Sequence, residues 1–219
     1  MCEERTSERP LKGGEAVRGQ AGQPAVATAA PKGTLFLIVG PSGAGKDTLL
    51  AGARRALADD PRYVFPARFI TRPVSNADDD GDANDERHIA ITPGTFAREA
   101  RWGAFALHWQ AHGLHYAIPA AINEALRAGR HVIINVSRCV IEQARAAMPG
   151  GVTVIYVDAP RPILAARLAA RGREPLQAIE ARLARQVDAS ARTDADHVIV
   201  NDGTPDEGAA ALTALLEQG

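Results

Sequence analysis

One short stretch, Gly40-Pro41-Ser42-Gly43-Ala44-Gly45-Lys46, constrains this 219-residue chain more than any other. It follows a continuous apolar run, Leu35-Phe36-Leu37-Ile38-Val39, which reads as a strand buried on both faces. It leads into Thr48-Leu49-Leu50-Ala51 and an Ala/Arg-rich helical stretch to about Ala58. Glycines reach φ > 0 and let backbone come close to a ligand, so successive N–H groups can point into one anion-holding nest. The helix that follows adds the partial positive charge of its N-terminus. A lysine six residues after the first glycine places a compact cation where it can reach the outer phosphates of a nucleotide. The strand-turn-helix context and the spacing together predict a phosphate-binding turn over Gly40, Pro41, Ser42, Gly43, Ala44, Gly45 and Lys46.

The lysine count points to the same place. After residue 32 the chain has nineteen arginines and one lysine, and that lysine is Lys46. The one position that escapes the drift to arginine is the one where a wide planar guanidinium would not fit the nest. The usual motif ends in a serine or threonine that ligates Mg²⁺. Here Asp47 follows the lysine and Thr48 comes one later, so the metal ligand is either the Thr48 hydroxyl or Asp47, directly or through water. A second metal-holding acid, expected at the tip of a neighbouring strand, has Asn135 and Ser137 in its place.

Three more apolar runs, His131–Val136, Val152–Val157 and His197–Val200, read as buried strands. Helices are expected around Val140–Ala147, Pro162–Arg171 and Asp206–Leu216. Strands separated by helices require crossover connections, hence a parallel sheet covered on both faces, a three-layer α/β domain. Residues 1–32 hold no Ile, Phe, Tyr or Trp and read as a disordered tail or an over-long translation start. Residues 63–118, with short strand-like pieces at Val64-Phe65, Phe69-Ile70, Ile89–Ile91 and Phe105–Leu107, read as a small inserted subdomain. The Arg-dense stretch 171–192 reads as a helical lid, and Asn76–Glu86, with six acids in eleven residues, as a solvated loop.

A net charge of -1 argues against a nucleic-acid or membrane-surface binder, and no apolar run has the length of a membrane span. Two cysteines, Cys2 and Cys139, make no disulfide framework; with no secretory apolar stretch they point to a reducing, cytoplasmic setting. Cys139 is expected to be buried or half-buried. Trp102 and Trp109 are expected in the core. His88, His108, His112 and His115 all fall in the inserted region, where packing, ribose or phosphate contacts and, less readily, zinc are the options.

The turn, Ile70-Thr71-Arg72-Pro73, Phe105–Tyr116, Asn135-Val136-Ser137-Arg138, Arg171-Gly172-Arg173-Glu174 and Val200-Asn201-Asp202 together resemble the guanylate kinase-like branch of P-loop kinases over residues 33–219. Within that branch the Gly-Lys-Asp ending and the aromatic and histidine stretch are most similar to the ribose 1,5-bisphosphate phosphokinases. The resemblance implies a P-loop NTPase fold with an acceptor-binding insertion and a lid. It also implies ATP and Mg²⁺ as partners, and transfer of a phosphoryl group to a phosphorylated ribose, giving 5-phosphoribosyl 1-diphosphate in phosphonate breakdown. It points to Lys46, Arg171, Arg173 and Arg182 as catalytic, with Arg185 in the same cluster. Arg72, His88, Gln110, His115 and Tyr116 are the acceptor contacts it implies.

Departures from guanylate kinases narrow the acceptor. Ser75 stands where those enzymes have a second arginine, and Leu107 where a glutamate reads the guanine edge. A base-reading site without its carboxylate discriminates poorly. The competing readings are a GMP kinase and a catalytically silent interaction module of the same fold; the intact lysine and glycines weigh against the module. Oligomeric state cannot be read from the chain.

Overall fold

The computed structural model describes residues 33–72, 88–111, 113–170 and 192–219. The expected tail, the acidic loop Asn76–Glu86, His112 and the lid up to residue 191 lie outside the described residues.

Leu35–Val39 forms β1, with every side chain at most 1% exposed. Strands β7 (His131–Asn135) and β8 (Val152–Asp158) pair with it on either side, in parallel. Outside them lie β2 (Tyr63–Val64) against β7 and β9 (His197–Val200) against β8, giving the order β2-β7-β1-β8-β9. Alternation along β1 divides the core into two layers. Leu35, Leu37 and Val39 join Val132, Ile134 and residues of α3 (Ile122–Arg127) and α4 (Ile141–Ala147). Phe36 and Ile38 pack on Leu49 and Ala53 of α1 (Lys46–Ala56), Leu164 and Leu168 of α5 (Arg161–Ala170), and Leu212 and Leu216 of α6 (Pro205–Leu216). Full burial of a Leu- or Phe-sized side chain contributes about 1.5–3 kcal/mol, so β1 is a rigid base for the turn that follows it. The three-layer α/β architecture is as expected from the alternating pattern.

A second sheet, order β4-β3-β6-β5, is built from β3 (Arg68–Ile70), β4 (His88–Ala90), β5 (Phe105–Ala111) and β6 (Leu114–Pro119). One of its faces carries Leu107, Trp109 and Ile118 into the β1 cluster. The other is covered by α2 (Pro93–Arg101), whose Phe96 ring lies 5.1 Å from Phe105 and 5.0 Å from His115.

Three expectations are corrected. Tyr63–Val64 belongs to the main sheet, paired with His131 and Val132, so the second sheet begins at Arg68 rather than at residue 63. Two residues are too few to show a period, and only the neighbour β7 decides their sheet. Trp102 is 82% exposed at the end of α2, and Cys139 is exposed in the turn after β7. Both expectations rested on residue type, whereas exposure follows from which side of a helix or turn meets another layer. Trp109 is in the core, stacked on Tyr116 at 5.4 Å.

Candidate active site

β1 ends at Val39 and the chain turns through Gly40, Gly43 and Gly45 at φ 146, 88 and 90°. Helix α1 begins at Lys46 with Gly45 as N-cap and no side-chain cap, so its first N–H groups are not taken by a capping oxygen. That is the arrangement that receives an anion. Lys46 curls back over the turn, its Nζ donating to the carbonyls of Gly40 at 3.0 Å and Pro41 at 2.9 Å. Phosphate oxygens are stronger acceptors for an ammonium than carbonyls, so the lysine can exchange these bonds for a ligand. Ser42 is exposed and Ala44 fully buried.

The turn is braced from behind. Asn201, 4% exposed just after β9, donates from Nδ2 to the Ala44 carbonyl at 2.7 Å. Arg167 of α5 donates to the Asn201 carbonyl at 3.1 Å and to that of Ala44 at 3.4 Å. Two elements distant in sequence thus hold the loop's shape. Nothing in the sequence marks Arg167 among nineteen arginines, and Asn201 stood out only as part of Val200-Asn201-Asp202.

On the other side, Asn135 ends β7 level with Ile38 and donates from Nδ2 to Asp47 Oδ1 at 2.7 Å. A carboxylate oxygen only accepts, so the amide nitrogen must face it. Asp47 is therefore brought to the strand tip, while Thr48 is exposed on α1. Arg68, 9% exposed on β3, donates to the Asn135 carbonyl at 2.9 Å and ties the second sheet to the same point. Mg²⁺ is commonly held by one or two carboxylates together with substrate phosphates. Asp47, beside Lys46 and the turn, is a donor of that kind.

The expected acceptor residues divide between faces of the second sheet. Tyr116 lies with Trp109 against the β1 cluster. His115, one residue earlier, faces α2 and packs on Phe96, and its cross-strand partner Gln110 is exposed. The structure thus separates His115 from Tyr116 rather than gathering them, as alternation along a strand requires. His88 is half-buried at the edge strand β4. Arg72 is exposed immediately after β3, beyond Thr71, whose Oγ1 accepts from the His115 N–H at 2.8 Å. Arg171, Arg173, Arg182 and Arg185 lie outside the described residues. Arg192, the last residue of the expected lid, donates to Asp158 Oδ2 at the end of β8 at 3.2 Å.

Comparison with known proteins places this geometry. The guanylate kinase family model matches residues 32–219. A ribose 1,5-bisphosphate phosphokinase of Methylobacterium radiotolerans is 50% identical over 184 residues, covering 84% of this chain and 97% of that protein. One of Acidiphilium cryptum is 48% identical over 184 residues, covering 84% and 92%. The fold is similar to the crystal structure of a guanylate kinase from Anaplasma phagocytophilum, with TM-score 0.61 and 17% identity over 86% of each chain. With its phosphate-binding turn and second sheet in place, the chain belongs to the guanylate kinase family, in the branch of the ribose 1,5-bisphosphate phosphokinases.

Proposed function

We propose that this kinase moves the γ-phosphoryl group of ATP onto the 1-phosphate of ribose 1,5-bisphosphate, giving 5-phospho-α-D-ribose 1-diphosphate and ADP, as a step of phosphonate catabolism. One oxygen of the 1-phosphate forms the new bond to the γ-phosphorus while the β–γ bridging bond breaks and its electrons leave with ADP. That oxygen is already ionised at neutral pH, so no general base is needed. What the protein must do is align two anions and neutralise the charge on the transferred group.

The observation that carries the acceptor is the composition of the second sheet. Its four strands, Arg68–Ile70, His88–Ala90, Phe105–Ala111 and Leu114–Pro119, hold no carboxylate, and Leu107 is fully buried. A guanine edge offers donors that call for a buried acceptor, and none of these four strands supplies a carboxylate for it. In this reading the turn 40–46 holds the ATP phosphates, and Lys46 leaves the Gly40 and Pro41 carbonyls for the β- and γ-phosphates. Asp47 holds Mg²⁺, which shields the phosphate charges when bound. Arg72 takes the acceptor's phosphate and Tyr116 borders its ribose. Arg171, Arg173 and Arg182 add positive charge at the transferred group, a role that rests on the family resemblance and on their density. Residues 33–219 form the kinase domain, with residues 1–32 outside it. Among the described residues no helix is long and apolar enough to cross a membrane.

The test is ATP-dependent ADP release with ribose 1,5-bisphosphate and, separately, with GMP. Turnover with the bisphosphate and little with GMP is expected. Turnover with GMP alone would overturn the acceptor assignment, and failure to bind ATP would make the chain an interaction module.

A further inference from the structure

The motif that opens α1 and the strand beside it depart from the common pattern at two positions, and the structure shows that these departures touch. P-loop enzymes commonly place a Ser/Thr hydroxyl after the lysine and a carboxylate at the tip of the adjacent strand, and the two share the metal. Here the residue after the lysine is Asp47 and the strand-tip residue is Asn135, and they are joined by a 2.7 Å hydrogen bond. The number of carboxylates is unchanged; one has moved from the strand to the helix. The moved carboxylate needs a partner that donates, because a second carboxylate in hydrogen-bond contact would repel it. An amide is the side chain of the same size that does so.

We propose that Asn135 is a positioning residue that holds Asp47 in the orientation needed for the metal, so that Asp47 and Asn135 together replace the usual hydroxyl and strand-tip acid. The Asn135 amide engages Oδ1 and leaves Oδ2 of Asp47 for the cation. The strand end that carries Asn135 is itself fixed on two sides. Its backbone is in register with Ile38 of β1, the strand that opens the turn, and its carbonyl accepts from Arg68 of the second sheet at 2.9 Å. Through Asn135 the Asp47 carboxylate is thereby referenced to the second sheet as well as to the strand that opens the turn. Partners that orient metal ligands in this way are typically worth roughly 10–100-fold in metal affinity.

This inference rests on the kinase reading above, and equilibrium binding separates the two. Mn²⁺ affinity is measured by electron paramagnetic resonance for the full chain with a non-hydrolysable ATP analogue, alongside the affinity for the analogue without metal. Asn135→Ala should weaken Mn²⁺ binding about 10–100-fold while leaving metal-free analogue binding within about twofold, which a merely structural role would not produce. Asp47→Thr should weaken it more, and adding Asn135→Asp to Asp47→Thr should restore most of the loss by rebuilding the usual pair. Unchanged Mn²⁺ affinity in Asn135→Ala, or no rescue in the double variant, overturns the inference while the kinase reading stands. If the unsubstituted chain binds neither the analogue nor Mn²⁺ with it, the kinase reading fails first, and the inference with it.

Discussion

Gly45→Ala is the perturbation whose cost can be followed most closely through the structure. Gly45 sits at φ 90°, ψ 15° as the N-cap of α1. For a residue with a Cβ, a left-handed backbone costs about 1–2 kcal/mol. The added Cβ would also fall against Nδ2 of Asn201. Moving that amide aside breaks its 2.7 Å bond to the buried Ala44 carbonyl, and leaving a buried acceptor short of its partner costs about 1–3 kcal/mol. Arg167 also donates to Ala44 at 3.4 Å, which keeps this second contribution near its lower end. The sum is about 2–4 kcal/mol, less than the roughly 5–15 kcal/mol of a typical domain, so the variant folds but melts about 4–16 °C lower. Urea and thermal unfolding of the unsubstituted chain, Gly45→Ala, Asn201→Ala and the double variant test the reasoning. Asn201→Ala loses the hydrogen bond but also removes Oδ1, a buried oxygen with no hydrogen-bond partner among the described residues, so alone it should cost about 1 kcal/mol. In that background Gly45→Ala should cost only its backbone part, about 1–2 kcal/mol. A Gly45→Ala variant within about 0.5 kcal/mol of the unsubstituted chain would refute the argument, and so would strict additivity of the two changes.

Lys46→Ala should abolish ATP-dependent ADP release with little change in the unfolding midpoint, because the bonds Nζ makes to the Gly40 and Pro41 carbonyls are part-buried; retained turnover would refute the role of the turn. Burial pushes the His131 imidazole below its ordinary value of 6.5, helped by the Arg62 charge and opposed by Asp60, while its Nδ1 accepts from the Thr34 N–H at 3.3 Å. The unfolded chain then takes up this proton more readily than the folded one, so stability is full above pH 6.5 and falls as the pH drops below it. Unfolding free energies at pH 7.5 and 5.5 should show that loss, and His131→Gln should reduce it. Leu107→Ala removes a fully buried side chain between the two sheets and should cost about 2–5 kcal/mol by denaturant unfolding without creating activity on GMP.

Four of the five main-sheet strands, β1, β7, β8 and β9, were legible because each is a continuous apolar run, and β1 and β9 have the ends the pattern marks. Helices α5 and α6 each begin one residue earlier than expected, a shift within the fraying of any helix end. The phosphate-binding turn was legible for a stronger reason: glycine spacing, a buried strand before and a helix after are all local. Strand β6 and helices α2 and α3 carry no such mark in the sequence. Leu114–Pro119 mixes buried and half-buried positions without a clean period, and Ile122–Arg127 spans fewer than two turns. The exposed Trp102 and Cys139 show the limit of residue type as a guide to burial.

Local chemistry, then, was settled by sequence alone: a backbone nest, one lysine, and an aspartate where a hydroxyl is usual, all within the eight residues Gly40–Asp47. Tertiary structure decided what those residues lean on. Asn201 and Asn135 reach Ala44 and Asp47 across 157 and 88 residues of chain, and Arg167 and Arg68 join them from elements whose own sequence gives no sign of it. A periodic pattern shows which side of an element is buried, but not which carbonyl an amide will meet there. That pairing arises only when parallel strands bring their C-terminal ends to one edge of the sheet, which is where this chain assembles its turn, its carboxylate and the pin to its second sheet.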